Sequence, residues 1–140
     1  MNLFEDLRVL NKIIDRPLDK IAKETNLTLN EVRVLLFLYE NEKFDIASDI
    51  VEKLMISKAH VSVSVETLVN KKYIEKIQDN KNKKKFHLKI TSNSKEILDL
   101  LDVEIEKLKK ELTKDISKQD QEIFKETIKK IIQNTREIAQ

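Results

Sequence analysis

A chain of 140 residues suits one domain, since a chain of this size buries about 70% of its unfolded surface. It holds no glycine, one proline and 37% charged residues, so the usual residues of tight turns and flexible linkers are scarce and a mainly helical fold is expected. The net charge of +2 is unevenly spread: residues 71–90 hold 8 basic and 2 acidic side chains, against 9 and 12 in residues 1–70 and 10 and 11 in residues 91–140. One short segment thus carries the whole positive excess, as a phosphate-facing patch on an otherwise neutral protein would.

In chain order, Leu3, Phe4, Leu7, Leu10, Ile13 and Ile14 predict an amphipathic helix with a broad apolar face. Pro17 interrupts it, and Leu18, Ile21 and Ala22 resume the pattern, so a kink or break is expected near Asp15 to Pro17. Thr28 and Glu31 have capping-box spacing ahead of Val32, Val34, Leu35, Leu36, Phe37, Leu38 and Tyr39, a helix with almost no polar face that belongs at the centre of a core. Asp45 is expected to N-cap a short helix burying Ile46, Ile50, Val51 and Leu54. Ser57 then caps another after two intervening residues, which is helix-turn-helix spacing.

On that last helix Val61, Val65, Leu68 and Val69 are expected inside, with Ala59, His60, Val63 and Thr67 on the opposite face. Strands are predicted over residues 73–78 and 85–90, the second alternating Phe86, Leu88 and Ile90 with Lys85, His87 and Lys89. The polar residues 79–84 form the tip between them, where Asp and Asn are expected to supply the positive φ that glycine would. Two long helical runs follow, from Ile97 to Ile116 and, after Ser117, from Phe124 to Ile138. Their narrow apolar stripes require a partner. The stripes at both ends, Leu3, Phe4, Leu7 and Leu10 with Phe124, Ile128, Ile131 and Ile132, predict a homodimer.

The order of these elements, with Leu27-Thr28-Leu29 leading to Arg33-Val34-Leu35, Ser57-Lys58-Ala59-His60-Val61-Ser62, Tyr73-Ile74-Glu75-Lys76 and Leu88-x-Ile90-Thr91, resembles the MarR (multiple-antibiotic-resistance regulator) family of winged-helix transcriptional regulators over nearly the whole chain. The sequence departs from the family where Met55, Lys72 and Ser94 stand at places that often hold glycine. Val63 replaces the usual arginine of the recognition helix, and Asn82-Lys83-Lys84 an Asp-Arg-Arg run. The resemblance implies an α+β winged helix of about six helices with a two-stranded hairpin wing. Its parts are an N-terminal dimerisation helix (1–26), the winged helix-turn-helix (27–92) and C-terminal dimerisation helices (93–140) without an independent linker. It also implies a homodimer that regulates transcription from an inverted-repeat operator in double-stranded DNA and answers to a small-molecule effector.

A major groove about 12 Å wide admits one helix, whose early residues reach base edges. Ser57, Lys58, Ala59, His60, Ser62 and Val63 occupy those positions, and Ala59 or Val63 is suited to a thymine methyl. Lys81, Lys83, Lys84 and Lys85 at the hairpin tip suit phosphate or the minor groove, though lysine lacks arginine's bidentate fork. The alternative is a winged helix that docks proteins, which the apolar Val63 would suit. No cofactor, metal or enzymatic activity is expected: His60 and His87 are the only histidines, cysteine is absent, and no phosphate-binding glycine loop occurs. Neither a basic leader nor a run of about 18 apolar residues is seen, so a cytoplasmic protein with no membrane partner is expected.

Overall fold

The computed structural model describes residues 1–140. Its elements are α1 (Leu3–Ile14), α2 (Arg16–Thr25), α3 (Leu29–Glu40), α4 (Ala47–Leu54), α5 (Lys58–Asn70), β1 (Ile74–Gln78), β2 (Phe86–Ile90), a 3-10 turn (Ser92–Ser94), α6 (Lys95–Leu112) and α7 (Lys118–Ala139). This is the expected mainly helical winged helix. The helices number seven because Pro17 divides the first run at Asp15, and with α1 and α2 counted together they are the six expected. Pro17 stands in the first turn of α2, where its missing N–H leaves no bond unmade. The Arg33 guanidinium on α3 donates to the Asp15 carboxylate at 2.7 Å and fixes the break.

Two compact units divide the chain, Met1–Ile105 and Glu106–Gln140. In the first, the apolar α3 forms the centre of the core. Val32, Val34 and Leu35 are fully buried beside Ile21, Ile50, Val61, Leu68, Ile74 and Leu101. The α3 capping box forms in full: the Glu31 amide donates to Thr28 Oγ1 at 3.2 Å and the Thr28 amide to Glu31 Oε2 at 2.9 Å. Strands β1 and β2 pair antiparallel, with Ile74 opposite Ile90 and Gln78 opposite Phe86. Ile74 and Leu88 plug the wing into the core. Ser94 is wholly buried, and its hydroxyl donates to the Tyr73 carbonyl at 2.6 Å, so a serine is used at the base of the wing as a hydrogen-bond donor.

The second unit contains the end of α6 and all of α7. Ser117 caps α7 by accepting from the Asp120 amide at 3.1 Å. Ile116 lies outside α6, which ends at Leu112 before a turn that places Asp115 at φ 60°.

Two local expectations are corrected. Asp45 does not cap α4. Ile46 occupies that position without a side-chain bond, because the Asp45 carboxylate is engaged by His87 across the fold. The hairpin tip also needs no left-handed residue. Its Asp79 and Asn82 work through side-chain acceptors instead, while positive φ falls at Asn26, Met55, Lys72 and Asp115.

Candidate nucleic-acid interface

Helix α5 begins where Ser57 Oγ accepts the His60 amide at 3.2 Å. Its inner face, Val61, Ser64, Val65 and Leu68, is buried, which fixes its rotation about its own axis. Ser57, Lys58, Ala59, His60, Ser62 and Val63 are consequently all exposed, Val63 at 65%. Helices α4 and α5 are joined through Met55, held left-handed at φ 54°.

The wing stands across an open cleft of about 610 Å³ from this helix pair. Lys58 and Ser62 of α5 share its walls with Asn82, Lys84 and Lys85 of the wing, over an apolar floor that includes Val61, Val65 and Leu88. The structure therefore brings those two α5 residues together with two of the four wing lysines. Lys81 and Lys83 are exposed at the tip outside the cleft, and Ser57, Ala59, His60 and Val63 face solvent without lining it. Lys76 of β1 also lines the cleft, 5.7 Å from the Phe86 ring centroid and 4.0 Å from the Glu66 carboxylate. Sequence reasoning did not name it as a binding residue, although it belongs to the basic segment and ends the Tyr73-Ile74-Glu75-Lys76 motif.

The lysine tip is held by its own polar residues. Asp79 Oδ2 accepts the amides of Lys81 at 3.0 Å and Asn82 at 2.9 Å, and Asn82 Oδ1 accepts the Lys84 amide at 3.0 Å. Behind the tip, His87 Nε2 lies 2.7 Å from Asp79 Oδ1 and Nδ1 lies 2.8 Å from Asp45 Oδ1. Hydrogen bonds first to Asp79 and then to Asp45 raise the proton affinity of His87 above the ordinary histidine value. The same bond to His87, with the two backbone amides, holds the Asp79 carboxyl at about 2. No local pattern signals this pairing, since Asp45 and His87 are 42 residues apart.

The apolar residues expected at a dimer interface remain uncovered in the single chain. Neither α1 nor α7 contains a buried residue, and Phe4 is 78% and Phe124 63% exposed. Leu3, Leu7, Leu10, Ile131 and Ile132 are likewise exposed, with Ile128 half-buried. No three His, Cys, Asp or Glu side chains are grouped to hold a metal ion, and no helix is long and apolar enough to cross a membrane.

A helix-turn-helix whose second helix lies exposed beside a basic β-hairpin defines a winged helix-turn-helix protein. Residues 25–85 match the family model described as MarR family. The fold is similar to that of a Listeria monocytogenes protein described as a MarR-family transcriptional regulator complexed with 26mer DNA, at 23% identity and a TM-score of 0.85 over 96% of this chain and 89% of that one. It is also similar to a MarR transcriptional regulator from Methanosarcina mazei, at 16% identity and a TM-score of 0.81 over 97% of each chain. A mutant of S. aureus MepR bound to an oligodeoxyribonucleotide matches at 16% identity and a TM-score of 0.62, over 96% of this chain and 99% of that one. No curated protein matches the chain. The chain has the fold of the MarR-family transcriptional regulators.

Proposed function

We propose that the protein is a sequence-specific, DNA-binding transcriptional regulator that acts as a homodimer on an inverted-repeat operator. The observation that carries this reading is the cleft in which Lys58 and Ser62 of the exposed helix α5 face Lys84 and Lys85 of the wing. The helix supplies side chains of the right size and polarity for base edges, and the wing supplies point charges for the adjacent phosphates. Two relatives of the same fold are described as bound to DNA, which supports the reading. The uncovered stripes on α1 and α7 provide the apolar surface for a second copy. Double-stranded DNA and the protein itself are thus its partners, and modulation by a small-molecule effector follows from the family resemblance.

The test is the salt dependence of duplex binding. Replacing Lys83, Lys84 and Lys85 by Ala should weaken binding to all sequences alike, because phosphate contacts orient without reading sequence. The slope of log affinity against log salt should flatten by about 0.9 for each phosphate no longer neutralised. An unchanged slope would place the wing away from DNA, and no duplex affinity at low salt would favour a protein-docking winged helix.

A further inference from the structure

Three side chains distant in sequence meet behind the wing tip. The His87 ring on β2 lies 2.8 Å through Nδ1 from Asp45, in the segment between α3 and α4, and 2.7 Å through Nε2 from Asp79, which follows β1. Carboxylates only accept, and a neutral imidazole has one N–H and one lone pair. Both bonds are therefore made at once only by the imidazolium. Asp79 in turn anchors the Lys81 and Asn82 amides through its other oxygen. Asp45 directly precedes Ile46, the N-cap of α4, and its carbonyl accepts the Leu88 amide at 2.7 Å. One ring thus ties the base of the lysine tip to the entry of the helix-turn-helix.

We propose that His87 is a positioning residue for DNA binding: its imidazolium, held between Asp45 and Asp79, sets the wing lysines relative to α5, so that duplex affinity follows the protonation of this ring. The consequence rests on the DNA-binding reading, whereas the geometry does not. Glu42 and Asp45 before α4, Tyr39 on α3 and Lys89 on β2 line the hollow beside the ring. Lys85, which precedes β2, lines the cleft towards α5 and not this hollow, and Asp79 closes the far end. On β1 the residue opposite His87 is the uncharged Ile77.

The direction follows from linkage. His87 is raised above 6.5 in the folded chain, so the stabilisation from its proton is complete below 6.5 and is lost as pH rises through the raised value. Asp79 is lowered from 3.8 to about 2, so its contribution is present above 3.8 and is lost only as pH falls towards 2. The anchor is complete between these limits, in mildly acidic solution, and opens on the alkaline side.

The experiment uses the full-length chain and a fluorescein-labelled random-sequence duplex pool at low salt, with buffers near about pH 6 and about pH 9 on either side of a histidine titration. Wild type should bind about tenfold more weakly at the higher pH, where the ring has lost the proton that lets it bridge Asp45 and Asp79. His60→Ala should keep that dependence, and His87→Gln and Asp45→Asn should flatten it. In parallel, NMR of the free protein should show the Lys81 and Asn82 amides moving with the His87 ring titration at a midpoint above 6.5. A wild-type affinity equal at both pH values overturns the proposal, as does a dependence that vanishes in His60→Ala but survives in His87→Gln. A ring that titrates without the tip amides following also overturns it. If no duplex binds at any pH, the DNA-binding reading fails and with it the affinity claim, while the ring titration separately decides whether the anchor exists.

Discussion

Ala59 and Val63 lie about 40° apart around the axis of α5, opposite the buried Leu68, and so occupy the centre of its outward face. Ser62 lies to one side and His60 to the other. A helix seated in a major groove presents the centre of that face most deeply, where the thymine methyl is the apolar feature available to a valine. Valine in a helix is held near one χ1 rotamer, so its methyls are presented in a fixed position. Replacing thymine by deoxyuridine throughout a bound duplex removes only the methyl groups. Wild type should then bind about fourfold more weakly for each thymine methyl it covers, from about 0.8 kcal/mol per buried methyl-sized group. Val63→Ala should be less sensitive to the same exchange. Equal sensitivity of the two proteins, measured by fluorescence anisotropy, would remove Val63 from the base-reading set.

Among the secondary-structure elements, a chain without glycine still makes left-handed turns, and it does so with Asn26, Met55, Lys72 and Asp115. Asn and Asp accept such φ values more readily than Met or Lys. Met55 links α4 to α5 at φ 54° and is 84% exposed, so its side chain contributes little packing to offset the strain. Met55→Gly should therefore stabilise the protein by about 1 kcal/mol, seen as a higher midpoint in urea unfolding, whereas Met55→Ala should not. An unchanged or lower midpoint for the glycine variant would show that the Met55 side chain stabilises this turn. The break at Pro17, the Thr28–Glu31 box, the Ser57 cap and both wing strands to within one residue were legible in the sequence, because each is written in residues close together along the chain. The engagement of Asp45 was not. A carboxylate just before an apolar run has the local signature of a cap, and only the folded chain brings it to His87. Lys76 was hidden for a similar reason, since which strand residues border α5 depends on how the hairpin leans.

The molecule as a whole leaves large apolar side chains uncovered at both ends of the sequence, on helices that are otherwise charged and amphipathic. Such helices contain no buried residue, and their apolar faces are the surface that the proposed homodimer would cover. A twofold dimer would present two copies of α5 to one face of the duplex, about 10 base pairs apart, and its preferred site would mirror its own symmetry. The sequence made the stripes visible but not their full exposure, because periodicity marks an apolar face without saying what lies against it. Whether a dimer reads DNA through α5 is decided by selecting bound duplexes from a random pool with the wild-type protein. An enriched inverted repeat with half-sites about 10 base pairs apart is the expected result. Enrichment of a single unrepeated site, or of no sequence at all, would contradict it.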